Sequence, residues 1–180
     1  MRPGLTINYI GRVGRRHLIW GIAPVTRAFF AIQILCRKER YMLGKTIDEL
    51  KIGETQQFAK TISESDVYQY AGITGDLNPA HINEEYASTT FFKTRIAHGM
   101  LTAGFISAII GTRLPGPGTI YIGQNLSFKA PVRIGDTIAA SVEVTEIIEE
   151  KNRVKMKTTC VNQDGIVVLD GEAFVSPPKA

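Results

Sequence analysis

Asp76 and His81 lie five residues apart within Y-A-G-I-T-G-D-L-N-P-A-H-I-N-E-E-Y-A, residues 70–87. Gly72, Gly75 and Pro79 interrupt any helical period there, and the residue before Pro79 is pushed toward an extended conformation. A loop stiffened by Gly, Asn and Pro can aim both side chains into one cavity. A carboxylate and an imidazole poised together can then move protons to and from water. The same residues also read as a tight turn, with Asp76 and Asn78 bonding their own backbone and His81 packed in a core. Fifteen residues after His81 a second segment begins, residues 96–111, which reads as a helix apolar on nearly every face. Thr102 and Ser107 are its only polar interior residues, so the helix is expected to be surrounded by the rest of the chain. Gly99 near its start would let a ligand approach the backbone, and the first-turn N–H groups, which lack intrahelical partners, could hold a developing oxyanion. Ordinary core packing, with Gly99 and Gly104 serving close contact, is the alternative.

The elements that must position these residues are legible in outline. Residues 53–62 alternate weakly, as a strand would. Ser63 then caps a helix expected to run to Tyr70, with Asp66 three residues on as the capping-box acid. Asn83 caps a short helix over residues 84–88, whose acidic first turn suits the helix dipole. Residues 89–94 lead into the apolar helix, which L-P-G-P-G at 114–118 ends. Strand-like runs follow at 119–129, 137–148, 153–162 and 166–175, with Asp164-Gly165 a strong hairpin signal. One buried helix followed by a meander predicts an α+β fold, an antiparallel sheet wrapped around that helix.

Together the two segments resemble the hydratase motif of the MaoC-like, (R)-specific enoyl-CoA hydratases, single hot-dog enzymes that add water to trans-2-enoyl thioesters. Tyr70, Ile73, Thr74, Gly75, Asp76, Asn78, Pro79, His81 and Ala87 fit the family pattern, and Ala80 stands where a larger aliphatic is usual. His98-Gly99-Met100 and the later G-Q-N-L-S-F at 123–128 are also similar to this family, so the resemblance spans roughly residues 42–177. It implies hydration of an enoyl-CoA to a 3-hydroxyacyl-CoA, or the reverse dehydration. Asp76 and His81 would share the water, with the Gly99 N–H on the thioester carbonyl. Asn78 would orient the loop or the water, and Ser107 is a candidate substrate contact. The CoA thioester is substrate; no cofactor and no metal are expected. Its phosphates need cations, for which Lys93, Arg95, Lys129 and Arg133 are candidates by position. A homodimer with the acyl pocket near the subunit interface is also implied. Two rival readings use the same fold: an acyl-CoA thioesterase, and a non-catalytic acyl-CoA-binding module.

The formal charge of +4 conceals an uneven distribution. Residues 1–41 hold eight Lys or Arg and one acid, Glu39, a balance of +7, whereas residues 42–180 hold thirteen basic and sixteen acidic, a balance of −3. The domain is therefore mildly acidic, which argues against a nucleic-acid partner. The leader carries Arg12, Arg15, Arg16 and Arg27 and an apolar run at 28–36, far short of the roughly 20 residues a membrane span needs. It reads as a transit-like extension without Ser, or as translation from an upstream start, with the hydratase domain beginning at Met42. Cys36 and Cys160 show no ligand spacing, which points to a reducing compartment. That compartment is the cytoplasm, or the mitochondrial matrix if the leader is a transit peptide. One domain is expected, since a 44% hydrophobic chain of this length can fill one core.

Overall fold

Ser63 begins the first helix as the sequence predicts. Its hydroxyl accepts from the Asp66 N–H, and the Asp66 carboxylate accepts from the Ser63 N–H, a closed capping box. The computed structural model describes residues 43–179, so the leader at 1–41, including Arg12, Arg15, Arg16, Arg27 and Cys36, lies outside the described residues. Helix α1 runs Glu64–Thr74, four residues beyond its expected end at Tyr70. Gly72 costs propensity without breaking the helix, and the stop is Gly75, whose φ of 77° is the left-handed conformation that ends helices. Two short helices follow, α2 over Pro79–Ile82 and α3 over Glu84–Thr89. The segment predicted to be irregular is therefore mostly helical, and only residues 75–78 form the loop.

Lys60, paired with Asp66, and the Ser63 N–H hold the Asp66 carboxyl down at about 2. Because the folded value lies below that of an unfolded aspartate, ~3.9, this stabilisation is complete above the unfolded value and is lost as pH falls through the folded one. The thermal midpoint of the wild type is expected to drop more steeply than that of Asp66→Asn between about pH 4 and about pH 2. Parallel acid profiles of the two proteins would remove Asp66 from the acid response.

The sheet is antiparallel throughout, with strands β1 (Thr55–Thr61), β2 (Ile120–Phe128), β3 (Thr137–Ile148), β4 (Arg153–Val161) and β5 (Val167–Ser176). Their spatial order is β1-β3-β4-β5-β2, which leaves β1 and β2 as edges. Along β4 and from Thr137 to Val144 in β3 burial alternates strictly, so one face of the sheet is dry. That face carries Ile138, Val142, Val144, Val154, Met156 and Leu169, all fully buried. Against it packs α4, Gly99–Thr112, through Phe105, Ile106, Ile109 and Ile110. A sheet curled around one long helix is the arrangement expected of the hot-dog fold.

The helix is not surrounded, however. Met100, Gly104, Ser107, Ala108 and Gly111 line an exposed face of α4 in the single chain. A sheet has only one apolar face to offer a helix, so an all-round apolar helix keeps one stripe unpartnered within its own chain. Among the described residues no helix is long and apolar enough to cross a membrane.

Candidate active site

Local chemistry builds the loop that carries Asp76. The Thr74 hydroxyl donates to Tyr70 O at 2.8 Å and accepts from the Asp76 N–H at 3.3 Å, while the Gly75 N–H donates to Ala71 O at 2.8 Å. Asp76 Oδ1 accepts from the Asn78 N–H, an Asx turn, and Asn78 Oδ1 accepts from the Ala80 N–H as the N-cap of α2. Pro79 occupies the first helical position, where its missing N–H does no harm. Asn78 is thus the joint that turns the chain from Asp76 into the single turn of helix presenting His81.

His81 is held by its other nitrogen. Its Nδ1–H donates to Ile96 O at 2.8 Å, which leaves Nε2 as the proton acceptor. Ile96 is itself fixed, since its N–H reaches Ala80 O and the next N–H, of Ala97, reaches Val132 O. At the start of α4, His98 is 2% exposed and does not cap the helix with its side chain. Its Nε2–H instead donates to the backbone carbonyl of Asp76 at 3.0 Å. The His98 ring stacks on that of His81, centroids 3.9 Å apart and planes 33° from parallel, and lies 4.8 Å from the Tyr70 ring. His98 therefore ties the exposed Asp76 loop to the buried core and backs the His81 imidazole. Sequence reasoning used His98 only to mark a helix start. A buried polar residue opening an otherwise apolar helix was the one signal that could have singled it out.

One nitrogen or oxygen of Asp76, His81 and His98 lies within 4.8 Å of those of the other two. That spacing lets a single water bridge the carboxylate and His81 with ordinary hydrogen bonds. It suits metal ligation less well. His81 Nδ1 and His98 Nε2 are both committed to backbone carbonyls, which leaves each ring only one nitrogen to offer.

These groups face a cavity of about 500 Å³ whose walls are mostly apolar, among them Tyr70, Phe92, Phe128, Val132, Val168 and Leu169. Gly99 and Met100 line it too. A Cβ built on Gly99 would stand 2.7 Å from the Phe128 ring, so any larger residue there must push that ring aside. Ser107 does not line the cavity. It sits eight residues from Gly99, about 80° around the helix, on the exposed face of the single chain.

The candidate phosphate cations also divide. Arg95 bonds Glu64 at 2.7 Å, Glu84 at 3.2 Å and the Tyr68 hydroxyl at 3.0 Å, stapling α1 to α3, so its guanidinium is spent on structure. Arg133 donates to Phe92 O at 3.2 Å and is likewise engaged. Lys129 lines the cavity and Lys93 is exposed beside it in sequence order from Phe92, and neither has an ion-pair partner among the described residues.

The family model for the MaoC like domain matches residues 49–165. The chain is 61% identical over 131 residues to an (R)-specific enoyl-CoA hydratase of Rhodospirillum rubrum, covering 73% of this chain and 90% of that relative. It is 55% identical over 132 residues to a 3-hydroxybutyryl-CoA dehydratase of Methylorubrum extorquens, covering 73% and 83%. Among solved structures, R-hydratase PhaJ1 from Pseudomonas aeruginosa, unliganded, superposes with a TM-score of 0.72 at 47% identity, covering 76% of this chain and 88% of that one.

Proposed function

The chain belongs to the MaoC-like family and is an (R)-specific enoyl-CoA hydratase, and from that premise we propose that Asp76 and His81 hold and activate the water. The reaction adds water across C2=C3 of a trans-2-enoyl-CoA to give a 3-hydroxyacyl-CoA, and runs in reverse as a dehydration. The water oxygen bonds to C3 while its proton passes to the Asp76/His81 pair. The displaced π electrons collect on the thioester oxygen as an enolate, held by the Gly99 N–H. The pair then returns a proton to C2, so no redox or group-transfer partner is needed. The proton taken from water and the proton returned to C2 both pass through the pair, so the two roles belong to the pair rather than to either residue. General acid–base action of this kind is worth ~10²–10⁴ in rate.

The observation that carries this reading is the setting of His81, whose Nδ1 is spent on Ile96 O and which has a ring nitrogen within 4.8 Å of an Asp76 carboxylate oxygen. The test is the loss of enoyl-thioester absorbance from crotonyl-CoA. Steady hydration to 3-hydroxybutyryl-CoA is expected. Release of free thiol from saturated acyl-CoA, without hydration, would put the thioesterase reading in its place.

The finer assignments belong to the same reading. A homodimer is supported by what the single chain leaves uncovered around the site: Ile73 is 84% exposed, Leu77 62% and Met100 54%, and the small-residue stripe of α4 is open. A second copy would cover these groups and shield the reacting atoms from bulk water. Lys129 and Lys93 are the remaining candidates for the CoA phosphates. Residues 42–180 make up the hydratase domain in this reading. A reducing compartment, the cytoplasm, suits Cys160, a free thiol that burial pushes up to about 12.

A further inference from the structure

His98 and Thr102 line the cavity, and each keeps one buried polar atom without a hydrogen-bond partner in the protein, His98 Nδ1 and Thr102 Oγ1. Thr102 is 1% exposed, in the first turns of a fourteen-residue helix, and the wall around the cavity is largely hydrocarbon. A hydroxyl left bare in such surroundings costs stability. Threonines in helices usually avoid that cost by donating to the carbonyl four residues back. Thr74 does so to Tyr70 O and Thr112 to Ala108 O, whereas Thr102 makes no such bond to His98 O. Helical side chains lean toward the helix N-terminus, and residues three apart are neighbours on one face. The Thr102 side chain therefore lies over the turn that starts at Gly99, whose N–H is also without an intrahelical acceptor.

We propose that Thr102 is a catalytic residue of this chain, its hydroxyl donating to the thioester oxygen beside the Gly99 N–H and strengthening that bond as enolate charge develops. The assignment rests on the hydratase reading above. It gives the buried hydroxyl a partner that arrives only with substrate, and it leaves His98 Nδ1, an acceptor while Nε2–H is spent on Asp76, out of contact with the negative oxygen.

The opposing arrangement is a Thr102 hydroxyl that turns to His98 Nδ1 and acts only by holding that ring. The two differ in sign. A hydroxyl that serves the substrate is a burden on the free enzyme, so Thr102→Val should leave the ligand-free thermal midpoint unchanged or raised. Its turnover of crotonyl-CoA should still fall by ~10²-fold, the usual effect of losing one oxyanion donor, with a smaller change in KM. The infrared stretch of the labelled thioester carbonyl in bound butyryl-CoA, which cannot be hydrated, should move toward its value in free butyryl-CoA. Thr102→Ser should restore both turnover and the shifted stretch in large part. Wild-type turnover in Thr102→Val, or a lowered midpoint with an unaltered carbonyl stretch, would overturn the proposal while hydration by the wild type stands. A wild-type protein that does not hydrate crotonyl-CoA would remove the hydratase reading itself, and this proposal with it.

Discussion

Asp76→Asn and His81→Gln are each expected to lower the turnover of crotonyl-CoA hydration by ~10²-fold or more, with KM nearly unchanged. Asn keeps the shape of the carboxylate and Gln keeps a hydrogen-bonding group, but neither can take a proton from water near neutrality. Little structural damage should follow. Asp76 is exposed, its turn rests partly on backbone bonds, and an Asn78-type amide oxygen can accept the same N–H that Asp76 Oδ1 accepts now. The His81 replacement loses the bond to Ile96 O and the stack on His98, so circular dichroism and a thermal melt must accompany the kinetics. The double variant should fall little below the worse single one, because groups that act on one water are not additive. Near-normal turnover in a folded Asp76→Asn protein would sink the mechanism and bring the non-catalytic reading forward.

Gly99→Val should damage turnover on a similar scale, through space rather than through protons. Any Cβ at this position meets the Phe128 ring at 2.7 Å, and the two methyl groups of Val add bulk at the mouth of the α4 N-terminus. If the Gly99 N–H holds the thioester oxygen, displacing or covering it should lower turnover by ~10²–10³-fold. Some stability should be lost with it as Phe128 is pushed from its place. Gly111 supplies the contrast, since a Cβ there meets nothing within 4 Å and lies on the exposed face of the same helix. Gly111→Ala adds a methyl that meets nothing within its own chain and lies away from the cavity lining, so its turnover should fall far less than that of Gly99→Val. Steady-state kinetics with thermal melts on both variants decide the matter. Wild-type turnover in a folded Gly99→Val protein would withdraw the oxyanion role.

Much of this was legible in the chain because it depends on near neighbours. The Ser63–Asp66 capping box, the strands β3 and β4, and the turn at Asp164-Gly165 are settled within a few residues, and each stands where the sequence places it. The helix end at Gly75 was misjudged for a local reason too. Glycine can either weaken a helix, as at Gly72, or end it in a left-handed cap, and the spacing alone does not say which.

What the sequence by itself determined is the set of candidate reacting residues, Asp76, His81 and Gly99, and the α+β hot-dog framework that carries them. The tertiary structure alone decided how those residues are held. His98 reaches the Asp76 carbonyl across 22 residues and stacks on His81 across 17, and no short-range pattern encodes a contact that exists only once α4 is seated on the sheet. The same packing removed Ser107 from the cavity, because the sheet covers one side of α4 and the register of the helix put Thr102 on that side and Ser107 on the other. It also spent Arg95 on Glu64 and Glu84, since two acids on neighbouring helices hold a guanidinium in place. Residue type follows from the chain one position at a time, whereas orientation and availability depend on long-range packing that no local window contains.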